Sequence, residues 1–411
     1  MTPTRAAAGV PSIDIGGSVT APAGFRAAGI ACGIKKNGNA DLALIVSDAP
    51  AAAAAVFTTN KAQAAPVLVA RQRLAASGGH ARVVVINSGC ANACTGPDGL
   101  ETAEAMADAA ARVTGADRTQ ALVASTGVIG VSLDRRTVTG GIAAAFAALA
   151  GDGGAAAARA IMTTDPFPKE AAIEVTTAAG VFRVGGIAKG SGMIEPLMAT
   201  MLAVVTTDAQ VPPALLQRAL SAAGDVTFNA ITVDGECSTN DCVFALANGA
   251  SGVAIGEREI DVFTTALRQV CERLAIGIVR GGEGATKLIT IEVTGGATDV
   301  EAKRAARAIA NSPLVKTAVH GADPNWGRLV AVAGRAGVEF DLERARVQIG
   351  DVELFAGGRP FDERAPQASE HLMQKDVTLR VDLGTGRDGA ARMWTCDLSA
   401  EYVKINAEYR T

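Results

Sequence analysis

Apolar residues fall into short runs whose spacing switches between strand-like alternation and helix-like periods along the chain. Phe25 to Ile34 and Asp41 to Ser47, rich in Ala, Ile, Leu and Val, predict strands. AAAAAVFTTN follows as a short segment with a polar end, and Ala65 to Ala70 predicts another strand with a short helix after it. Arg82 to Ile86 is a compact strand that opens into the polar loop NSGCANACTG. Asp98 to Ala111 predicts a helix, with acidic residues near its start and a glycine closing it. Gln120 to Ser125 predicts a strand running into STGVIGVSL. Helices are expected over Val138 to Ala150 and Ala155 to Met162, the second stopped by TTDPFP. Lys169 to Val184 alternates about a turn at Ala178–Gly180.

At Thr200 the pattern resets. Five of the seven residues from Thr200 to Thr206 are apolar and both ends are β-branched, which predicts a strand. A helix over Pro212 to Ala223, a strand over Phe228 to Val233, a helix after Asn240 and an amphipathic helix over Glu257 to Ala275 come next. From Thr286 a third region begins with LITIEVTG as a strand and a helix over Val300 to Ala310. Strands are expected at Leu329–Glu339, Ala345–Ile349 and Val352–Phe355. Asp376–Leu383 and Ala390–Cys396 read as a hairpin joined by GTGRDG, and Tyr402 to Ile405 as a final strand. Strands alternating with helices place the chain in the α/β class, and no fixed-period repeat is evident.

Composition refines this picture. A length of 411 residues supports at least two domains with their own cores. Apolar residues make up 49% but aromatics only 4%, so the interior is expected to be built from Ala, Val, Leu and Ile. The net charge of -4 and scattered arginines argue against nucleic acid or an anionic membrane as a partner. Seven cysteines, an odd number in a long chain, argue against a disulfide framework. Neither Cys90/Cys94 nor Cys237/Cys242 has a nearby histidine, so no zinc or other metal site is expected. The thiols fit a reduced, cytoplasmic setting. No signal peptide and no membrane-spanning run is evident. RVGGIAKGSG and RGGEGATK match neither the dinucleotide fingerprint nor a phosphate loop.

The segment KGSGMIEPLMATML carries the candidate chemistry. Thr200 stands between a glycine- and proline-bearing loop and a strongly apolar run. By default such a threonine is a strand former. A cut between Ala199 and Thr200 would instead expose an α-amine beside its hydroxyl, and the amine could act as base for that nucleophile. Lys189 and Glu195 are ionisable groups in an otherwise apolar, glycine-rich surrounding, costly there unless paired or solvated.

These residues, together with NSGCANACTG, STGVIG, MTTD, DGECSTND, GEGATK and the terminal YVKINAEYRT, closely resemble the bifunctional glutamate N-acetyltransferase / ornithine acetyltransferase family of arginine biosynthesis. The resemblance spans nearly the whole chain. It implies an α/β fold with an N-terminal-threonine nucleophile, related to the self-processing aminopeptidases, with a smaller C-terminal α/β domain. It implies a cut before Thr200, giving an α chain of residues 1–199 and a β chain of 200–411, assembled as a heterotetramer of two of each. Residues 200–285 would complete the catalytic domain, and 286–411 would form the smaller domain, with a tail reaching the active site. Thr200 would be the nucleophile, and Thr126 and Gly127 the oxyanion hole. Thr163, Lys189, Thr200, Glu283, Asn406 and Thr411 would bind substrate. The implied substrates are N2-acetylornithine and glutamate, with acetyl-CoA as a further acetyl donor and no bound cofactor. No coenzyme A signature is present in the sequence. A self-processing aminopeptidase or amidase of the same architecture, passing its acyl group to water, is the rival reading.

Overall fold

The structure, a computed structural model, describes residues 11–195 and 201–408. It divides into two compact units. The larger runs up to Asn229 and resumes over Glu236–Ile278; the second takes Ala230–Gly235 and the chain from Val279 onward.

Among the described residues of the larger unit, nine strands form one mixed sheet. They are β1 (Ser12–Asp14), β2 (Phe25–Ile30), β3 (Leu42–Phe57), β4 (His80–Cys90), β5 (Ala121–Val128), β6 (Lys169–Thr177), β7 (Gly180–Lys189), β8 (Leu202–Thr207) and β9 (Cys242–Ala247). Their order is β1-β6-β7-β8-β9-β3-β4-β5, with β2 on β3. The β8–β9 and β4–β5 pairs are parallel and the others antiparallel. Helices α1 (Ala65–Ala76), α2 (Gly96–Thr114), α3 (Arg135–Ala147), α4 (Gly154–Ala160), α5 (Pro213–Asp225) and α6 (Ile260–Arg280) accompany the sheet.

Period-two alternation builds two cores from the same strands. Val84 and Ile86 of β4 join Ile45, Leu122, Val204 and Phe244 on one face. Val83 and Val85 join Leu42, Leu44, Val123, Met106 and Ile142 on the other. Every residue of β8 and β9 is buried, as expected of central strands covered on both faces. At one end of the sheet Lys189 pairs with Leu202, and Leu202 with Cys242. The strand that follows Thr200 is thus threaded through the middle of the unit.

The second unit holds a six-stranded sheet among its described residues. Its strands are β10 (Leu288–Gly296), β11 (Arg346–Ile349), β12 (Val352–Ala356), β13 (Arg359–Pro360), β14 (Asp376–Asp382) and β15 (Gly389–Cys396), in the order β13-β12-β11-β14-β10-β15. Helices α7 (Asp299–Ala310), α8 (Pro313–His320), α9 (Trp326–Gly334), α10 (Ala365–Leu372) and α11 (Ala400–Glu408) complete it. Ile289, Ile291 and Val293 of β10 are buried, while Thr290 and Glu292 between them are partly open.

Several expectations need correction. Ala65–Ala70 is the start of helix α1, because Pro66 suits a first helical turn. Leu329–Glu339 is not a strand: the Asn325 side chain accepts from the Arg328 N–H and caps α9. Phe228–Val233 holds a short 3-10 turn at Phe228–Ala230 rather than a strand. The helix expected after Asn240 is strand β9, whose six-residue apolar run is ambiguous by period alone. β14 and β15 do not form a hairpin. β10 lies between them, parallel to β14 and antiparallel to β15. Tyr402–Ile405 belongs to helix α11.

Candidate active site

Two strand ends and one loop of the larger unit supply its candidate residues. Thr126 and Gly127 lie in the last three residues of β5, and Lys189 closes β7. Thr163 lies in the loop between α4 and β6. Lys189 is only 8% exposed. Its ammonium donates to Thr163 Oγ1 at 2.8 Å and Thr126 Oγ1 at 3.1 Å. Three residues separated by 63 and 26 positions in sequence are therefore joined by one cation.

Gly127 is required by its backbone and its surroundings. Its φ is +129°, and a Cβ there would sit 2.4 Å from the carbonyl carbon of Gly89. The stretch of β5 before it is fixed by buried amides. The Asn240 side chain donates to the Ser125 carbonyl at 2.9 Å and the Ala91 carbonyl at 2.5 Å. Ser125 Oγ donates to Asn87 Oδ1 at 2.6 Å, and Asn87 Nδ2 donates to the Cys90 carbonyl. The STGVIG, NSGC and STND motifs thus meet at one point.

Charge is concentrated beside Lys189. The Asp165 carboxylate, 0% exposed as a side chain, accepts from the Lys169 ammonium and from the N–H groups of Gly190 at 2.7 Å and Thr163 at 2.9 Å. Burial alone would raise its pKa, but Lys189 and Lys169 override this and hold it at about 2. Lys35 donates to the carbonyls of Met162 at 2.7 Å and Ala40 at 2.8 Å. Burial pulls the Lys35 pKa down, opposed by Asp41. The Asp41 carboxylate in turn collects the N–H groups of Cys32, Gly33, Ile34 and Lys35. Asp165, Lys169 and Lys35 were not singled out from the sequence. The signal available was the four-residue spacing of Asp165 and Lys169 across two prolines.

On the approach to the proposed cut, Met193 has φ +56°, a conformation a side chain rarely adopts. Ala199 and Thr200, the expected cleavage pair and nucleophile, lie outside the described residues, as does Thr411.

In the second unit, Glu283 is 8% exposed and accepts from Asn406 Nδ2 at 2.9 Å. Two expected substrate-binding residues, 123 positions apart, are therefore in direct contact. Gly284, at φ +69°, makes this possible: a Cβ there would stand 2.5 Å from the Tyr402 nitrogen at the start of α11. Ser399 Oγ donates to the Gly284 carbonyl at 2.6 Å and ties loop to helix. Among the described residues, no group of three or more His, Cys, Asp or Glu is placed to hold a metal ion. Likewise, no described helix is long and apolar enough to cross a membrane.

Comparison with known proteins gives these positions a context. The model of the ArgJ family matches residues 26–411. A protein of Synechococcus called arginine biosynthesis bifunctional protein ArgJ is 50% identical over 410 residues, covering 97% of this chain and 98% of that one. The protein of the same name from Symbiobacterium thermophilum is 50% identical over 404 residues, covering 97% and 99%. Among solved structures, ornithine acetyltransferase complexed with ornithine from Mycobacterium tuberculosis is 42% identical, with a TM-score of 0.42, covering 45% of this chain and 98% of that chain.

Proposed function

The chain belongs to the ArgJ family, and on that premise we propose that it moves an acetyl group from N2-acetyl-L-ornithine to L-glutamate through an ester on Thr200. The observation that carries this reading is the clamp of Lys189 between Thr126 and Thr163. Among the described residues this cation donates to neutral hydroxyls and has the Asp165 charge nearby, so a substrate carboxylate can still take a direct charge-assisted hydrogen bond from it.

The proposed cycle begins with the precursor. The Thr200 hydroxyl adds to the Ala199 carbonyl, the peptide C–N bond breaks, and the new ester is hydrolysed by water. The freed α-amine, with an ordinary pKa of about 8, then takes the hydroxyl proton as Thr200 attacks the acetyl carbonyl of acetylornithine. Ornithine leaves with a proton on its nitrogen. The glutamate amine attacks the acetyl-threonine ester, and N-acetylglutamate leaves as Thr200 regains its proton. Donors at Thr126 and Gly127 would stabilise the oxyanion in both halves. Glu283 would meet a substrate ammonium, and Thr163, Asn406 and Thr411 would complete substrate binding. Acetyl-CoA would serve as a second donor, and the cut chains would assemble as two α and two β.

The test is a pair of measurements. The intact mass under denaturing conditions should show two species meeting at Ala199–Thr200, and Thr200→Ala should give one uncut, inactive chain. Incubation with acetylornithine should yield N-acetylglutamate only when glutamate is added. Acetate release that is indifferent to glutamate would replace this reading with the amidase one.

A further inference from the structure

Acetyl transfer gives roles to Lys189 and Thr163 but none to the buried charges that hold them. We infer that Asp165 is a positioning residue, whose one carboxylate locks Thr163 and Gly190 together and so aims the Lys189 ammonium. Its kinetic consequence rests on the acetyl-transfer reading; its geometry does not.

Both oxygens of the Asp165 carboxylate are engaged. One oxygen takes the Gly190 N–H and the Lys169 ammonium, and the other takes the Thr163 N–H. Lys169 also donates to the Gly190 carbonyl at 3.1 Å, so the residue after Lys189 is gripped through both its N–H and its C=O. Lys169 is the first residue of β6 and pairs with Ala188, the residue before Lys189. Lys189 is thereby fixed on both sides along the chain. The segment carrying Thr163 is fixed on both sides as well, by Asp165 after it and by Lys35 on the Met162 carbonyl before it.

A buried ion pair is a poor way to gain stability, because desolvation offsets most of the attraction and an apolar pair of similar volume does as well. What the charged pair offers here is direction. Asp165 accepts from two backbone N–H groups on separate segments, one carrying Lys189 and the other Thr163, whose hydroxyl the Lys189 ammonium meets. No apolar residue can accept either bond. The simpler role to set against it is that Asp165 only neutralises the ammonium groups of Lys189 and Lys169.

Asp165→Glu separates the two roles, because it keeps the charge and moves the acceptor oxygens by one methylene. Positioning predicts a folded protein whose kcat/KM for glutamate falls about 100-fold, the scale of an ångström's misplacement. Its crystal structure should show Lys189 Nζ out of hydrogen-bond reach of Thr126 or Thr163. Neutralisation predicts wild-type kinetics. Should the longer acid not fit, Asp165→Asn with Lys169→Met removes both charges. Positioning then predicts a near-normal Tm with the kinetic deficit retained, whereas recovery of both Tm and kcat/KM overturns it. If the wild type moves no acetyl group at all, the function reading fails. The variant's crystal structure then decides alone: Lys189 still seated on both hydroxyls overturns the positioning role, and a displaced Lys189 upholds it.

Discussion

Lys189 is a nearly buried cation whose hydrogen bonds go to hydroxyls, and such a cation is strongest when a carboxylate arrives to complete it. Lys189→Met should therefore raise KM for glutamate by about 10- to 100-fold, the equivalent of one charge-assisted hydrogen bond of about 1.5–3 kcal/mol. An unchanged KM would remove Lys189 from substrate binding. Gly127→Ala places a Cβ against the Gly89 backbone at a strand position with φ +129°, so the β5 end must move. The expected loss in kcat is about 100- to 1,000-fold, the range for removing one oxyanion donor, read by steady-state kinetics on protein shown to be cleaved. Asp397 supports a pH prediction. Its carboxylate is buried, which would raise its pKa, but Thr286 and His320 side chains and two backbone N–H groups bring it below the usual carboxylate range. A depressed folded pKa stabilises fully above the unfolded value of about 3.9 and is lost as pH falls through the folded one. Urea titrations at descending pH should show wild type losing stability below about pH 4, with a shallower loss in Asp397→Asn. Parallel slopes would contradict the assignment.

At the level of elements, the central strands carry the larger unit. Phe244 of β9 is fully buried and stacks edge-on to Phe57 of β3 at 6.1 Å. Phe244→Ala should cost about 3–5 kcal/mol, measurable as a drop in the urea midpoint; a change below about 1 kcal/mol would mean that the core closes over the gap. The elements legible in the sequence were those with a strong signal of their own. β4 announced itself by its valines, α2 by its alanines and closing glycine, α6 by its amphipathic face. β9 and α11 were misread because runs of four to six residues carry too few turns of either period to choose between them. The hairpin error had another cause: alternation tells which face of a strand is buried, not which strand lies beside it. The site divides the same way. Thr126, Gly127, Thr163, Lys189, Glu283 and Asn406 came from motif resemblance, since a threonine or glycine in a loop has no periodic signature. Asp165, Lys35 and Asn240 were missed because their work is done through backbone groups far away in sequence.

Over the whole molecule, the order of strands matters more than their number. β8 and β9 follow Thr200 in sequence, yet they lie between β7 and β3, which precede it. Under the proposed cut, each fragment would hold strands that the other needs for its neighbours. The two pieces should therefore elute together under native conditions and separate only in denaturant, a comparison that gel filtration makes directly. Fragments that part without denaturant would contradict the interleaving. The same order sets a sequence of events in time. A chain severed before β8 and β9 slid into place would be left with a gap that its own two ends could not easily refill. Under the proposed cut, backbone scission would therefore come after assembly, once β7 and β8 lie side by side. On that proposal the liberated amine would serve as a receipt for completed folding: chains that never built the sheet would never acquire the nucleophile, and misfolded copies would stay chemically silent.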